Sequence, residues 1–271
     1  MSTHTPSKGV YRPSIPALIL LALTGLLGLA TYGQDDGQEY RVLNIRDADN
    51  TTRHIHSWVD LAPDQRTLAV APTQSFPFRF YDIAEQRITR TLGIGNWYGG
   101  ARSSFSTRGT YLVLQQMFYQ DLAPNKVRAV KFEVVEVATG RTVFSASDLY
   151  AAALAPDEST LYALGPGGLQ VTDLATGRPD KARHLERPGH ALAVSTDGRH
   201  VAVAHKPTRE ELAAMPSVRN DKDALKALAK TGNIVVVHDA ATLEPVHTLG
   251  EPFDKVFRLQ YSPDGKDLWV H

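Results

Sequence analysis

One turn recurs along this chain at nearly constant spacing, and it limits the possible folds more than any other feature. Ala62-Pro63-Asp64, Ala155-Pro156-Asp157, Ser195-Thr196-Asp197 and Ser262-Pro263-Asp264 each sit between two apolar runs, and Ser106-Thr107-Arg108-Gly109 is a degraded fifth copy. The chemistry is that of a tight corner. Proline presets φ, serine or aspartate bonds its own backbone, and Gly198 or Gly265 accepts positive φ. The runs that follow are short and rich in β-formers: Tyr111–Leu114, Thr160–Leu164, His200–Ala204 and Asp267–Val270.

A second turn alternates with the first. An apolar run reaches an acid and then, in its fullest form, Ala-Thr-Gly-Arg, as in Val135–Arg141 and Val171–Arg178, with looser copies at Phe80–Ile83 and Val237–Thr242. Here glycine closes a hairpin, and Ile88–Leu92, Thr142–Phe144 and Val246–Leu249 leave it as outgoing strands. The third positions of the first turn are 64, 108, 157, 197 and 264, so the spacings are 44, 49, 40 and 67. The long interval contains residues 207–231, a charged, helix-prone segment unlike its surroundings. Removing these 25 residues restores a spacing of 42. A period of about 40 to 45 residues is that of a four-stranded unit repeated around an axis.

The SPDG-type turns, of which Ser262–Gly265 is the cleanest, and the D-x-A-T-G-R turn at Asp173–Arg178 resemble those of WD40-like and YVTN-like β-propellers. The resemblance covers about residues 57 to 271 and implies an all-β propeller of four to six blades, about five. Tyr81-Asp82, Thr172-Asp173 and His238-Asp239 stand where true WD40 repeats have Trp-Asp, and only Gly189-His190 offers a Gly-His pair, so the buried tetrad of strict WD40 blades is not expected. Tyr40–Ile45 is a spare strand that could complete the last blade; the rival reading is a piece of a longer propeller.

Composition narrows function by exclusion. Twenty-nine basic and 29 acidic residues cancel, which removes a global electrostatic case for nucleic acid. The absence of cysteine excludes disulfides, thiol nucleophiles and thiolate metal sites. No P-loop, G-x-S-x-G or H-E-x-x-H motif occurs, and Gly93-x-Gly95 opens no helix, so no cofactor or metal is predicted. His54-Ile55-His56 and Asp47-Ala-Asp49-Asn50 read as surface histidines and a polar turn, without a third ligand or the calcium-loop glycine and glutamate.

The first 33 residues form a separate segment. Lys8 and Arg12 precede Ile15–Ala30, which carries no charge, and small residues follow. This is a secretory leader pattern, with cleavage after Ala30 or Gly33. The 19 residues from Ile15 to Gly33 are also just long enough to remain as a membrane anchor. Residues 34–271 are the expected propeller domain, exported to the periplasm, the cell surface or the medium.

The resemblance implies that loops leaving the outer strands and loops between the second and third strands share one face, where partners or ligands are met. On that face fall Trp97 and Tyr98 in the Gly-rich stretch 93–100, Tyr150 and Phe253 in comparable connections, and His190 near the channel. These five are the candidate partner- or ligand-binding residues; for Trp97 and Tyr98 the equal alternative is that they tuck under the loop as a small packing cluster. The 207–231 insert joins them, with Leu212, Met215, Leu225 and Leu228 forming a stripe that serves either a partner arm or packing on its own blade. The expected role is recognition of a protein or small ligand. The alternatives are a propeller hydrolase or lactonase, needing one histidine and two carboxylates converging at the channel mouth, and a membrane-tethered sensor or scaffold.

Overall fold

A computed structural model describes residues 34–35, 38–39, 56–72, 77–93, 97, 100–117 and 130–271. The leader, Tyr40–Ile45, Asp47–Asn50, His54 and Tyr98 lie outside the described residues, as does the side chain of His56. Among the described residues no helix is long and apolar enough to cross a membrane.

After a two-residue hairpin of β1 (Gln34–Asp35) and β2 (Gln38–Glu39), the strands fall into antiparallel sheets of consecutive strands. The first comprises β3 (His56–Leu61), β4 (Thr67–Pro72), β5 (Phe78–Asp82) and β6 (Arg87–Leu92). The second comprises β7 (Ala101–Phe105), β8 (Tyr111–Gln116), β9 (Val130–Glu136) and β10 (Thr142–Leu149). The third holds β11 (Ala151–Leu154), β12 (Thr160–Gly165), β13 (Gly168–Asp173) and β14 (Arg178–Leu185). The fourth holds β15 (Gly189–Val194), β16 (His200–His205), β17 (Ile234–Asp239) and β18 (Pro245–Thr248). A fifth sheet has β19 (Leu259–Tyr261) and β20 (Leu268–Val270).

Side-chain alternation then decides how the sheets stack. Successive residues of a strand point to opposite faces. On β8, Leu112 and Leu114 join a core layer with Ala69, Ala71, Phe78 and Phe80 of the first sheet, while Val113 joins one with Leu161 of the third. On β16, Val201 and Val203 pack with Tyr162 and Leu164 of the third sheet; Ala202 and Ala204 pack with Val256 and Leu259 beside the fifth. The second, third and fourth sheets are thus blades buried on both faces between their neighbours. That explains the unbroken apolar runs of the second strands, where a sheet wet on one side would alternate. The outer strands β6 and β18 are largely exposed and correspondingly polar. The inner strands β3 and β7 touch, as do β11 and β15, and β15 and β19. The chain folds as a β-propeller.

Both turn types lie at one end of the blades, here the turn face. The fourth residue of the first turn has positive φ in four copies that include Gln65 (56°), Gly109 (76°), Glu158 (62°) and Gly198 (73°). Gly265 repeats this at 73° in the fifth blade. In the second turn, the residue four after the acid does the same: Gln86, Gly140, Gly177 and Leu243. The acids are staples. Asp173 Oδ1 accepts from the Thr176 amide and hydroxyl, both at 2.7 Å, and Asp239 Oδ1 accepts from the Ala241 and Thr242 amides. These bonds hold both carboxyls below the ordinary aspartate range, the Thr176 hydroxyl contributing most to Asp173 and the Thr242 amide most to Asp239.

The insert forms α1 (Arg209–Ala214) and α2 (Lys222–Thr231) on the opposite end, the loop face. Thr208 and Glu211 close a capping box on α1, and Asp221 caps α2 through the Asp223 and Ala224 amides. Leu212, Met215, Val218 and Leu228 are buried against Ile234 and Val236 of β17, with Leu225 half-buried beside them. The predicted stripe therefore packs the arm onto its own blade. Glu211 also accepts both terminal guanidinium nitrogens of Arg187, at 2.8 and 2.7 Å, and Arg187 donates to the Lys206 carbonyl at 2.9 Å.

Candidate functional site

The inner strands run from the loop face towards the turn face, so their first residues surround the channel mouth. There a cavity of about 230 Å³ opens, with β7, β8 and β9 on one side and β11, β15 and β19 on the other. Its apolar wall includes Val113, Phe132, Ala151, Ala152, Ala191 and Leu192. Its polar groups are Arg102, Ser103, Ser104, Gln115, Tyr150 and Arg258. The corresponding inner strand of the third blade reads Ala-Ala-Ala-Leu, so Arg102-Ser103-Ser104 is a polar interruption in a position that otherwise packs.

Electrostatics at this mouth are positive. The Arg102 guanidinium lies over the Trp58 ring, 4.4 Å from its centroid. Burial, and then the neighbouring Arg258 charge, push Arg102 below the usual guanidinium range, against the pull of Asp60. Burial raises the Asp60 carboxyl, although its Oδ2 accepts from the Phe105 amide at 2.7 Å and Arg102 opposes the rise. Arg102 and Arg258 have no carboxylate within ion-pair distance among the described residues. The Ser103 hydroxyl, in a residue only 2% exposed, has no hydrogen-bond partner among the described residues, and neither has His190 Nδ1. The His190 ring packs edge-on against Tyr150, with centroids 5.6 Å apart at 74°. Burial and then Lys206 lower its pKa, so His190 is neutral at pH 7.

The larger cavities differ in kind. One of about 450 Å³ on the turn face is lined by Asp157, Tyr162, Arg183 and Asp197, whose polar atoms are already paired. Tyr162 donates to the Ala240 carbonyl, Arg183 to Asp180 and Ala240, and Asp197 accepts from Ser195. Another, of about 650 Å³, lies beside the Gly165–Gly168 loop and is mostly open apolar surface. Unsatisfied buried polar atoms distinguish the channel, because leaving such an atom unpaired costs about 1–3 kcal/mol.

A buried histidine pair lies in the fourth blade. Nδ1 of His205 is 3.2 Å from the Pro188 carbonyl and Nδ1 of His238 is 2.9 Å from that of Leu243, so both rings donate through Nδ1. Their Nε2 atoms stand 3.2 Å apart. A proton placed between them would bury a charge near Arg187, and burial first, then Arg187, holds His205 down at about 4.

Of the five predicted residues, Tyr150 lines the cavity and His190 stacks on it. Phe253 is half-buried; its backbone pairs with Asn233 and its ring packs beside Val256 and Leu259, tying the end of the insert to the next connection. Trp97 departs from its predicted place on the loop face. It is fully buried among Phe78, Phe80, Leu92, Leu112 and Leu114, with Lys131 Nζ 4.6 Å from its ring centroid. The large ring fills the gap between the first two blades. Arg102, Ser103 and Arg258 were not singled out by sequence; the one available signal was polarity inside an inner strand. Among the described residues no group of three or more histidines and carboxylates converges.

No family model matches the sequence, and none of the curated proteins does. The structure is similar to the Cps50 (Swd1) β-propeller domain of Myceliophteria thermophila, with a TM-score of 0.55 and 14% identity over 81% of this chain and 64% of that one. It is also similar to hydrazine synthase of Kuenenia stuttgartiensis, with a TM-score of 0.52 and 15% identity over 88% of this chain and 58% of that one. At these identities the likeness is one of fold. The chain spans about three fifths of the length of these solved chains.

Proposed function

We propose that this protein is an exported recognition module of the WD40-like and YVTN-like kind, meeting its protein or small-ligand partner on the loop face over the channel mouth. The observation that carries this reading is the two sets of guanidinium nitrogens, on Arg102 and Arg258, that line the cavity there with no carboxylate within ion-pair distance among the described residues. A site finished for packing alone pairs such atoms. Support comes also from the exposed Phe257 ring (54%) beside Arg258, and from the contrast with the satisfied turn face. Large aromatics at the rim of a concave site are suited to anchoring an interface. The charge-free stretch after Lys8 and Arg12 supports export, and mass spectrometry of the mature N-terminus, expected near Thr31 or Gln34, checks it.

The recognition claim is tested by placing a photo-crosslinking amino acid at Phe257 or at Asp264, on the loop and turn faces, in cells of the native host. Adducts from position 257 and none from 264 are expected. Adducts from 264 alone would move the recognition surface to the other face and end this reading.

A further inference from the structure

The channel mouth is specific about charge as well as shape. Two guanidiniums line it, Arg102 half-buried inside and Arg258 exposed at the rim, the Arg258 charge near enough to disfavour that of Arg102. Asp60 offsets one positive charge but is itself occupied by the Phe105 amide. Lys206 adds a further cation beside His190. Counting Arg102, Arg258 and Lys206 against Asp60, the balance around the cavity is thus about two uncompensated positive charges. Burying like charges without an anion is unfavourable, and a guanidinium fork is geometrically matched to an oxyanion.

Size and polarity select among oxyanions. At about 30 Å³ per water molecule, 230 Å³ holds roughly seven or eight waters, too little for a drug-sized ligand and ample for a small organic acid. Phe132, Ala151 and Leu192 offer nothing to a fully hydrated inorganic ion, whereas they would cover the hydrocarbon part of an organic one.

We propose that the cavity binds a small organic monocarboxylate, its carboxylate held by Arg102 and Arg258, its apolar body against Phe132, Ala151 and Leu192. This site rests on the reading of the loop face as the recognition surface. It adds a ligand class to that reading, with the partner-facing rim of Tyr150 and Phe257 lying around the bound acid.

The test is titration of the whole protein with benzoate, with benzamide as a neutral isostere and with inorganic phosphate, followed by calorimetry and ligand-observed NMR. Benzoate is expected to bind with a Kd of about 1 mM or tighter, and benzamide at least about tenfold more weakly. Arg258→Gln, at an exposed residue without an ion pair among the described residues, is expected to weaken benzoate about tenfold while leaving the melting curve in place. Equal binding of benzamide, affinity unchanged in Arg258→Gln, or no benzoate binding at about 10 mM would overturn the proposal. Phosphate binding more tightly than benzoate would overturn the organic class in favour of an inorganic anion. A failed titration beside a crosslinked partner at position 257 removes this site alone. Benzoate binding without any such crosslink retains the site and removes the partner.

Discussion

The two ends of the propeller obey different rules. On the turn face, four or five copies of one corner are stapled by the same kind of acid and carry the same positive-φ residue at the same place. On the loop face the described connections differ: a buried tryptophan in one, a short Tyr150 link in another, a two-helix arm in the fourth blade. The difference teaches where each end's sequence is spent. The turn face repeats because every blade must make the same hairpin in the same register. The loop face varies because its connections are free to do separate jobs, one of which is packing rather than recognition.

The strongest challenge to this contrast is Trp97, a loop-face residue serving the core. Trp97→Ala should cost about 3–5 kcal/mol by urea unfolding, the effect of emptying a large buried aromatic site. A loss below about 1 kcal/mol would return Trp97 to the surface. Next in size is the buried histidine of the loop-face side. An unfolded histidine takes up its proton near pH 6.5, whereas folded His205 does so only at about 4. Between those values the unfolded state binds more protons, so stability is full above pH 6.5 and falls by about 3 kcal/mol on acidification to pH 4. Denaturant melts at stepped pH measure this slope, and His205→Gln should flatten it. The turn aspartates, held low by their staples, act in a lower window and leave that interval to the histidines. The smallest effect sharpens the contrast on the other face. Gln65 sits exposed at φ 56°, where three of its four counterparts, Gly109, Gly198 and Gly265, are glycine, so Gln65→Gly should stabilise by about 0.5–1 kcal/mol in a thermal melt.

Much of the fold was legible because its information is local. Asp64, Asp157 and Asp197 each mark a corner within three residues, and the odd composition of 207–231 coincided with the one odd interval. Even where Gln65, Glu158 and Leu243 replace glycine, the register of neighbouring copies locates the left-handed residue. The site was less legible because it is assembled across blades. Arg102 and Arg258 are 156 positions apart in the chain, and nothing around either one announces the other. Tyr150 and His190 were visible because both lie at the beginning of inner strands, a place the repeat defines. Trp97 was misread for the opposite reason: its glycine-rich surroundings describe the path of the backbone and say nothing about which way the indole turns.

Glu211 joins parts of the molecule that the repeat keeps separate. Its carboxylate closes the first turn of α1 and also grips Arg187, two residues before β15 begins and three before His190. The arm is therefore moored to the wall of the channel. Besides their packing on β17, the helices are thus held to the start of the strand that carries the imidazole beside Tyr150.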